Sequence, residues 1–449
     1  MMLTRRLKFL YSLGDLSTSA PLAIMAFYQL YFLTDVAGLR PNRAGLAVAI
    51  ARVWDSINDP IFGLLSDRIR SRWGRRRVVL LFGALPLGLT FCLQYLVPPW
   101  NDWGLVAYYL AAFILFDTTY TAVHVSYNAL TPAITRDYDE RSSLNGYRMA
   151  FSIIGTLVAV VLATVLGRFI DDQRMLFRIL GVTIGLATAV PLFIAYSVTK
   201  PYDDPAEAVN QLPPGQAIQA TLSNRPFWLL MGLYLFSWTT ASLVGSVFIF
   251  YANYYLVVPD QANYFILLAQ TSAVASMPLW VYLAQKYDKR STFIWGSVSW
   301  IVVCLILAGL QPDQIGLTYV LAVLAGVGIA TAYFLPWAMI PDVIELDELK
   351  TGQRREGSFY AFAAFFQKLG TGLVIWLFGI ALDGRGYITP EIGQPLPVQP
   401  AEAVQAIRWA IGLIPAVLLF FAIVFAWYYP INRKSHQAIR EQLALERNQ

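Results

Sequence analysis

Apolar segments of about 20 residues recur along the whole chain, and they constrain its fold more than any other feature. A helix of that length crosses the hydrocarbon core of a bilayer, where the backbone has no water to bond and must form helices. The pattern predicts an all-α integral membrane protein with twelve transmembrane helices. We place them near residues 10–33, 44–65, 78–98, 104–130, 145–167, 176–198, 226–250, 262–285, 291–310, 315–340, 357–381 and 404–429.

The composition agrees with this class and excludes others. Only 14% of the 449 residues are charged, whereas a soluble protein has about 25%. The two cysteines, Cys92 and Cys304, both lie in apolar segments, which argues against a disulfide framework or a metal site. The sequence has no nucleophile–histidine–acid set and no phosphate-binding loop, so we expect neither an enzyme nor a cofactor.

The distribution of Lys and Arg predicts the orientation. These residues cluster at the N-terminus, after the second and eighth segments and in the tail, whereas the loops after the third, seventh and ninth segments lack them. The positive-inside rule then places both termini in the cytoplasm. The net charge of +5 is explained in this way without a nucleic-acid partner. We expect a multi-pass monomer in a bacterial inner (plasma) membrane.

The longest polar stretch divides the predicted helices into six and six. We therefore predict a first bundle at 1–199, a cytoplasmic linker at 200–225, a second bundle at 226–430 and a cytoplasmic tail at 431–449. The second and eighth segments end in similar Gly/Asp and basic strings, which indicates two parallel repeats.

The second segment carries charges that a membrane helix rarely tolerates. Arg52, Asp55 and Asp59 fall within roughly 60° of one another on a helix, with Asn58 to one side. Each charge costs about 2.5–3.5 kcal/mol at the bilayer centre, so the cluster requires a function. Carboxylate and amide oxygens suit a small hard cation such as Na⁺. The alternative is an ion-pair network between Arg52 and the acids that only holds helices together.

The fourth segment carries a polar stripe. Asp117 and Thr121 share one face, and His124, Tyr127 and Asn128 continue the polar run. This polar stripe should line the interior of the protein rather than face lipid. His124 is predicted either to bind the substrate or to make a helix–helix hydrogen bond.

Further polar side chains are predicted to line the interior. Trp337 either stacks on a substrate or anchors the helix at the membrane interface. Pro336 and Pro341 predict a break in the tenth helix. The remaining substrate-cavity candidates are Asp15, Arg148, Gln367 and Lys368.

Charged connections on the cytoplasmic side are predicted to form a gate. The mixed-sign loop 342–357 is predicted to pair with residues 137–141 of the other half. The gating candidates are Asp67, Arg68, Arg75, Arg141, Asp342, Glu345, Arg354 and Glu356.

These motifs carry two resemblances. Gly63-x-x-x-Asp67-Arg68, followed by Gly74 and three arginines, resembles the signature loop of the major facilitator superfamily. The strings 52–60, 137–141 and 342–357 resemble the glycoside–pentoside–hexuronide:cation symporters, whose best-known member is melibiose permease. This resemblance implies solute uptake coupled to Na⁺, H⁺ or Li⁺ by alternating access. The matching positions imply a cation site at Asp55, Asn58, Asp59 and Thr121, and substrate or gate roles for Arg52, Arg148 and Lys368. Asp117 is an acid that the family pattern does not demand, and we predict that it serves a second ion or a proton.

The substrate remains open between several hypotheses. The galactoside-binding positions of melibiose permease correspond to Ser19, His124 and Asn128, and none of them matches. The strings 124–131 and 334–344 resemble the sodium-dependent lysophosphatidylcholine symporters. The sequence therefore predicts a cation-coupled symporter of a sugar or glycoside, with a lysophospholipid as the alternative. A third hypothesis is an uncoupled lipid scramblase or a sensor.

Overall fold

The computed structural model describes residues 3–66, 69, 71–74, 76–135, 137–202, 224–351, 356–390 and 396–447. These residues form α-helices with short π, 3-10 and irregular connections. The helices of the first part are α1 (Arg5–Ser12), α2 (Gly14–Tyr31), α3 (Pro41–Ser66), α4 (Arg77–Leu93), α5 (Asp102–Ile134), α6 (Tyr138–Gly167) and α7 (Gln173–Val198).

The second part continues the same architecture. Its helices are α8 (Arg225–Phe250), α9 (Ala262–Lys286), α10 (Lys289–Gly309), α11 (Ile315–Thr351), α12 (Glu356–Asp383), α13 (Ala401–Ile411), α14 (Leu413–Tyr428) and α15 (Arg433–Arg447). A π-helical segment extends α2 at Phe32–Val36, and another extends α8 at Tyr251–Tyr255. Helix α15 lies in the segment that was predicted only as a tail.

The membrane-spanning character predicted from the sequence is confirmed. In the part of the chain that the structure describes, ten helical stretches are long and apolar enough to cross a membrane. Helix α3 is not among them and carries Arg43, Arg52, Asp55 and Asp59, and α4 is a shorter apolar helix of 17 residues. The count of twelve and the orientation of the termini stay predictions.

The chain forms two compact units. One comprises residues 1–209 and 375–400, and the other comprises residues 210–374 and 401–449. The first unit thus includes the last turns of α12 and the connection that follows it. The division predicted from the sequence, into bundles at 1–199 and 226–430, places residues 375–400 in the second bundle. This predicted division stays a prediction.

Several helices start at a polar N-cap residue, at the point where a loop gives way to an apolar segment. A side-chain oxygen at each of four N-caps accepts a hydrogen bond from a backbone N–H in the first turn of the following helix. These caps begin α5, α6, α7 and α8, and they are Asn101, Asp137, Asp172 and Asn224.

Small residues bring the helices of the first unit into close contact. Gly88 on α4 faces Gly185 on α7, and a Cβ atom at Gly88 would collide with the Gly185 carbonyl. Gly155 on α6 likewise faces the Ser19 side chain on α2. Such contacts let van der Waals packing replace the hydrophobic effect, which is weak between helices in lipid. Helix α2 packs closely on α6, and α3 packs closely on α5, and these four helices carry the polar side chains of the interior.

The predicted break in the tenth helix is wrong. Pro336 and Pro341 lie inside α11, which runs without interruption from Ile315 to Thr351. Transmembrane helices tolerate proline when neighbouring groups satisfy the freed backbone carbonyls. The first part of the predicted loop 342–357 is also helical, because α11 continues to Thr351. Residues 342–351 are rich in Glu, Leu and Lys, which favour helices.

Candidate functional site

Helices α3 and α5 bring together the predicted cation ligands. The Thr121 hydroxyl on α5 lies 3.0 Å from Oδ1 of Asp59 and 3.5 Å from Oδ1 of Asp55, both on α3. Asp55 is only 4% exposed, and Thr121 only 1%. One hydroxyl oxygen therefore lies between two carboxylates in the interior of the first unit.

A hydrogen bond between Asn58 on α3 and Asp117 on α5 joins the same two helices. The side-chain amide of Asn58 donates to the backbone carbonyl of Asp117 at 3.1 Å, which fixes the orientation of the amide. A second hydrogen bond between the two helices joins side chains, from Trp54 Nε1 to Thr118 Oγ1 at 3.0 Å, and helps to fix the register of α3 against α5. The side chain of Asp117 is itself buried beside this contact.

Arg52 supplies the nearby positive charge predicted from the helical spacing. Its Nη1 atom lies 3.6 Å from Oδ2 of Asp55, one turn away on α3. Arg52 is therefore a positive charge beside one of the two acids that Thr121 contacts. Carboxylates, a hydroxyl and an amide are the oxygen ligands that small hard cations prefer, and this donor set fits Na⁺.

A second polar cluster lies between α2 and α6. Arg148 donates from Nε to Oδ2 of Asp15 at 2.9 Å and from Nη2 to Oδ1 at 3.0 Å. The Tyr127 hydroxyl on α5 also donates to Oδ2 of Asp15, at 2.9 Å. This two-pronged geometry is the strongest kind of arginine–carboxylate pair. Arg148 and Asp15 therefore neutralise each other within the first unit.

Arg148 also donates hydrogen bonds to side chains on α5. Nη2 donates to Oδ1 of Asn128 at 2.5 Å, and Nη1 donates to Oγ1 of Thr131 at 2.8 Å. The guanidinium group also lies over the Tyr127 ring, 4.6 Å from its centroid. From its position on α6, Arg148 therefore contacts both α2 and α5.

His124 extends this network along α5. Its Nε2 atom lies 2.8 Å from Nδ2 of Asn128, and its Nδ1 atom lies 3.5 Å from the Tyr120 hydroxyl. The rings of His124 and Tyr120 are stacked with centroids 5.2 Å apart. Our sequence analysis did not select Tyr120, Tyr11 or Thr131. The spacing of four residues from Tyr120 to His124 was the available signal, since such pairs meet on one helix face.

The second unit has an aromatic and amide cluster of its own. Trp337 on α11 donates from Nε1 to the Tyr234 hydroxyl at 2.9 Å, and that hydroxyl donates to Oε1 of Gln367 at 2.6 Å. Trp337 also stacks on Tyr360 with ring centroids 5.7 Å apart. Its N–H thus donates to a tyrosine that is buried inside the second unit, and both predicted roles of Trp337 stay predictions. Lys368 follows Gln367 on α12 and is half-buried.

Two of the described gating candidates, Asp342 and Glu345, have partners within the second unit. Asp342 pairs with Lys289 at 2.7 Å, and Glu345 lies 2.8 Å from Nε2 of His436 on α15. In the first unit Arg141 is exposed near the start of α6. Asp67, Arg68, Arg75 and Arg354 lie outside the described residues, as does the side chain of Glu356. The predicted pairing between the two halves stays a prediction.

The fold and these buried polar clusters define a multi-pass integral membrane transporter. A family model described as MFS/sugar transport protein matches residues 10–433, so the chain belongs to that family. An uncharacterized symporter of Synechocystis is 35% identical, over 97% of this chain and 96% of its own length.

Two more distant relatives are named for the class of solute that they transport. A putative glycoside/cation symporter of Escherichia coli is 27% identical over 99% of this chain and 96% of its own. The sodium-dependent lysophosphatidylcholine symporter 1 of Xenopus tropicalis is 26% identical, over 98% and 90%.

Solved structures agree on the fold. A D-xylose-proton symporter has a TM-score of 0.66 at 15% identity, with 94% of this chain and 97% of that chain covered. A bacterial homologue of the human lysosomal transporter Spinster has a TM-score of 0.69 at 12% identity, with 94% and 95% covered. The prediction of a transporter of the major facilitator superfamily is confirmed.

Proposed function

We propose that this protein is a symporter that uses a monovalent cation, Na⁺, to drive an organic solute across the membrane by alternating access. One observation carries the proposal: the Thr121 hydroxyl lies between the carboxylates of Asp55 and Asp59. A cation bound there reduces the repulsion between the two acids and their burial cost. If solute binding tightens the cation site, cation binding must tighten the solute site by the same factor.

A sugar or glycoside is the solute class that we propose first. In the second unit, the hydrogen bond to Tyr234 fixes the plane of Trp337, and Gln367 contributes amide groups beside it. Aromatic rings that pack against apolar ring faces, next to amides that bond hydroxyl groups, suit a neutral polyol ring. The relationship to a putative glycoside/cation symporter supports the same class.

A lysophospholipid is the second candidate, supported by the relationship to the lysophosphatidylcholine symporters. The phosphate of such a lipid would need a cation. Arg148 already donates to Asp15, Asn128 and Thr131, so a phosphate there would have to compete with the Asp15 carboxylate. The other candidate for binding the phosphate is Lys368 on α12.

Reconstituted vesicles test the symport directly. A thermal-melt screen of glycosides and lysophospholipids, with NaCl or choline chloride, first identifies a solute, because a ligand of the native state raises the melting temperature. The uptake of that solute is then measured with and without a Na⁺ gradient. We expect the gradient to concentrate the solute, whereas equal uptake in choline would favour an uncoupled scramblase. Replacing the Na⁺ gradient by a proton or Li⁺ gradient tests the identity of the ion.

Two matched variants test the cation site. Asp59→Asn should abolish accumulation on a Na⁺ gradient while solute exchange continues. Asp102→Asn is the control, because Asp102 joins the same two helices through Arg43 at the far end of α5. Accumulation by Asp59→Asn at the wild-type level would refute the assignment of the site.

A further inference from the structure

Three apolar helical stretches of the second unit reach the membrane surface at two connections. The stretch Pro259–Lys286 ends, and Lys289–Gly309 begins, at the short connection between α9 and α10. The stretch Ala401–Tyr428 ends at the connection between α14 and α15. Because an apolar helix ends where the hydrocarbon core of the bilayer ends, both connections lie at the level of the lipid headgroups.

Two arginines join these connections. Nη1 of Arg433, the first residue of α15, donates to the backbone carbonyls of Gln285 and Lys286 at 2.7 and 3.0 Å. Nη1 of Arg290, in the first turn of α10, donates to the backbone carbonyl of Tyr429 at 3.2 Å. The two connections therefore form one surface, which carries the positive charges of Lys286, Arg290 and Arg433.

Exposed aromatic rings lie directly beside these cations. Nζ of Lys286 lies 5.4 Å from the ring centroid of Tyr287 and 5.6 Å from that of Tyr282. The guanidinium carbon of Arg290 lies 5.7 Å from the ring centroid of Trp427. The three aromatic residues are 49%, 56% and 65% exposed, in that order. Tyrosine and tryptophan rings in such places lie at the headgroup level of a bilayer, so the cations beside them lie there too.

This cationic surface has an excess of positive charge. In the part of the chain that the structure describes, none of its three cations forms an ion pair with a carboxylate. Lys289, in contrast, pairs with Asp342 at 2.7 Å, and its charge is already compensated. Asp288 is the acid of the connection between α9 and α10. Three cations against this one acid leave two positive charges for a partner.

We propose that the cationic surface binds the headgroup of an anionic phospholipid. The lysine and the arginines donate to the phosphate oxygens, and the aromatic rings pack against the glycerol and the first acyl carbons. A net negative headgroup such as phosphatidylglycerol fits the charge excess, whereas phosphatidylcholine brings a cation of its own. The bound lipid holds the ends of α9, α10 and α14 together. None of these side chains belongs to the proposed cation or solute sites, so this proposal is independent of the symport.

Native mass spectrometry of the purified full-length protein tests the proposal. Phosphatidylglycerol and phosphatidylcholine with the same acyl chains are titrated separately, and the dissociation constant of the first bound lipid is measured. We expect phosphatidylglycerol to bind more tightly to the wild type. Each Lys or Arg beside an anionic headgroup contributes about a factor of five in affinity. Lys286→Gln should therefore weaken the binding of phosphatidylglycerol about fivefold and leave that of phosphatidylcholine unchanged.

Two further variants separate this surface from general attraction to basic side chains. Arg440→Gln is the matched control, because Arg440 is an exposed cation roughly two turns further along α15, and its loss should leave both affinities unchanged. Arg290→Gln should weaken phosphatidylglycerol as Lys286→Gln does. If Arg290→Gln does not fold, because it also loses the bond to Tyr429, Lys286→Gln carries the comparison alone, since the Lys286 side chain is exposed.

A melting experiment distinguishes a lipid from a free anion. Phosphatidylglycerol should raise the melting temperature of the wild type more than that of Lys286→Gln, because a ligand of the native state stabilises it. Inorganic phosphate at the same concentration should have no such effect. The proposal is overturned if the two lipids bind the wild type equally, if Arg440→Gln weakens phosphatidylglycerol as much as Lys286→Gln, or if inorganic phosphate stabilises the wild type as well as the lipid does.

Discussion

The ion pair between Asp15 and Arg148 should contribute strongly to stability, and Asp15→Asn tests it. The side chains of Asp15 and Arg148 are only 9% and 13% exposed, and two hydrogen bonds of 2.9 and 3.0 Å join them. Removing one partner of a buried pair costs about 3–5 kcal/mol, because the other charge stays buried without compensation. Asn128 and Thr131 still accept from Arg148 in the variant, so we expect the lower end, about 3 kcal/mol.

A matched carboxylate controls for the loss of an acid in general. Asp102 pairs with Arg43, and their side chains are 38% and 25% exposed. Exposed pairs are worth about 0–1 kcal/mol, so Asp102→Asn should hardly change stability. The double variant Asp15→Asn, Arg148→Gln removes both buried charges, and it should be more stable than the sum of the two single effects predicts.

The two native cysteines provide the assay. Cys304 is buried and Cys92 is half-buried, so a thiol-reactive dye reports unfolding as these thiols become exposed on heating. We expect Asp15→Asn to lower the melting temperature by several degrees and Asp102→Asn to leave it nearly unchanged. Equal shifts for the two variants would refute the reasoning that burial makes this pair strong.

Two further predictions concern packing and pH. Gly88→Ala should cost about 1–3 kcal/mol in the melting assay, because its Cβ meets the Gly185 backbone; Gly146→Ala, with open space around it, should not destabilise. The hydrogen bond from Lys8 lowers the pKa of Glu140, so this contact stabilises the fold above the ordinary carboxylate pKa and is lost as pH falls through the lowered pKa. The melting temperatures of wild type and Glu140→Gln should therefore differ at neutral pH and converge in acid.

The sequence predicted those parts of the site that a single helix determines. Arg52, Asp55 and Asp59 share a face because of the helical repeat, and the structure places Thr121 beside the two acids. The apolar segments likewise predicted the class of fold, since a membrane leaves the backbone few alternatives.

The periodicity of the sequence could not predict contacts between residues that are far apart along the chain. Asp15 and Arg148 are 133 residues apart, and only the packing of α2 on α6 reveals that they form a pair. The contacts of Arg148 with Asn128 and Thr131 also join different helices, so periodicity could not predict them either. The continuous α11 also differs from prediction, because proline signals a local break and tertiary packing decides whether one forms.

A calorimetric Na⁺ titration of the wild type and of Asp59→Asn tests the central claim most directly. We predict one saturable Na⁺ site in the wild-type protein, no measurable heat of binding in Asp59→Asn, and wild-type binding in Asp102→Asn. Saturable binding of Na⁺ to Asp59→Asn with the wild-type dissociation constant, or no binding to the wild type, would contradict a cation site formed by Asp55, Asp59 and Thr121.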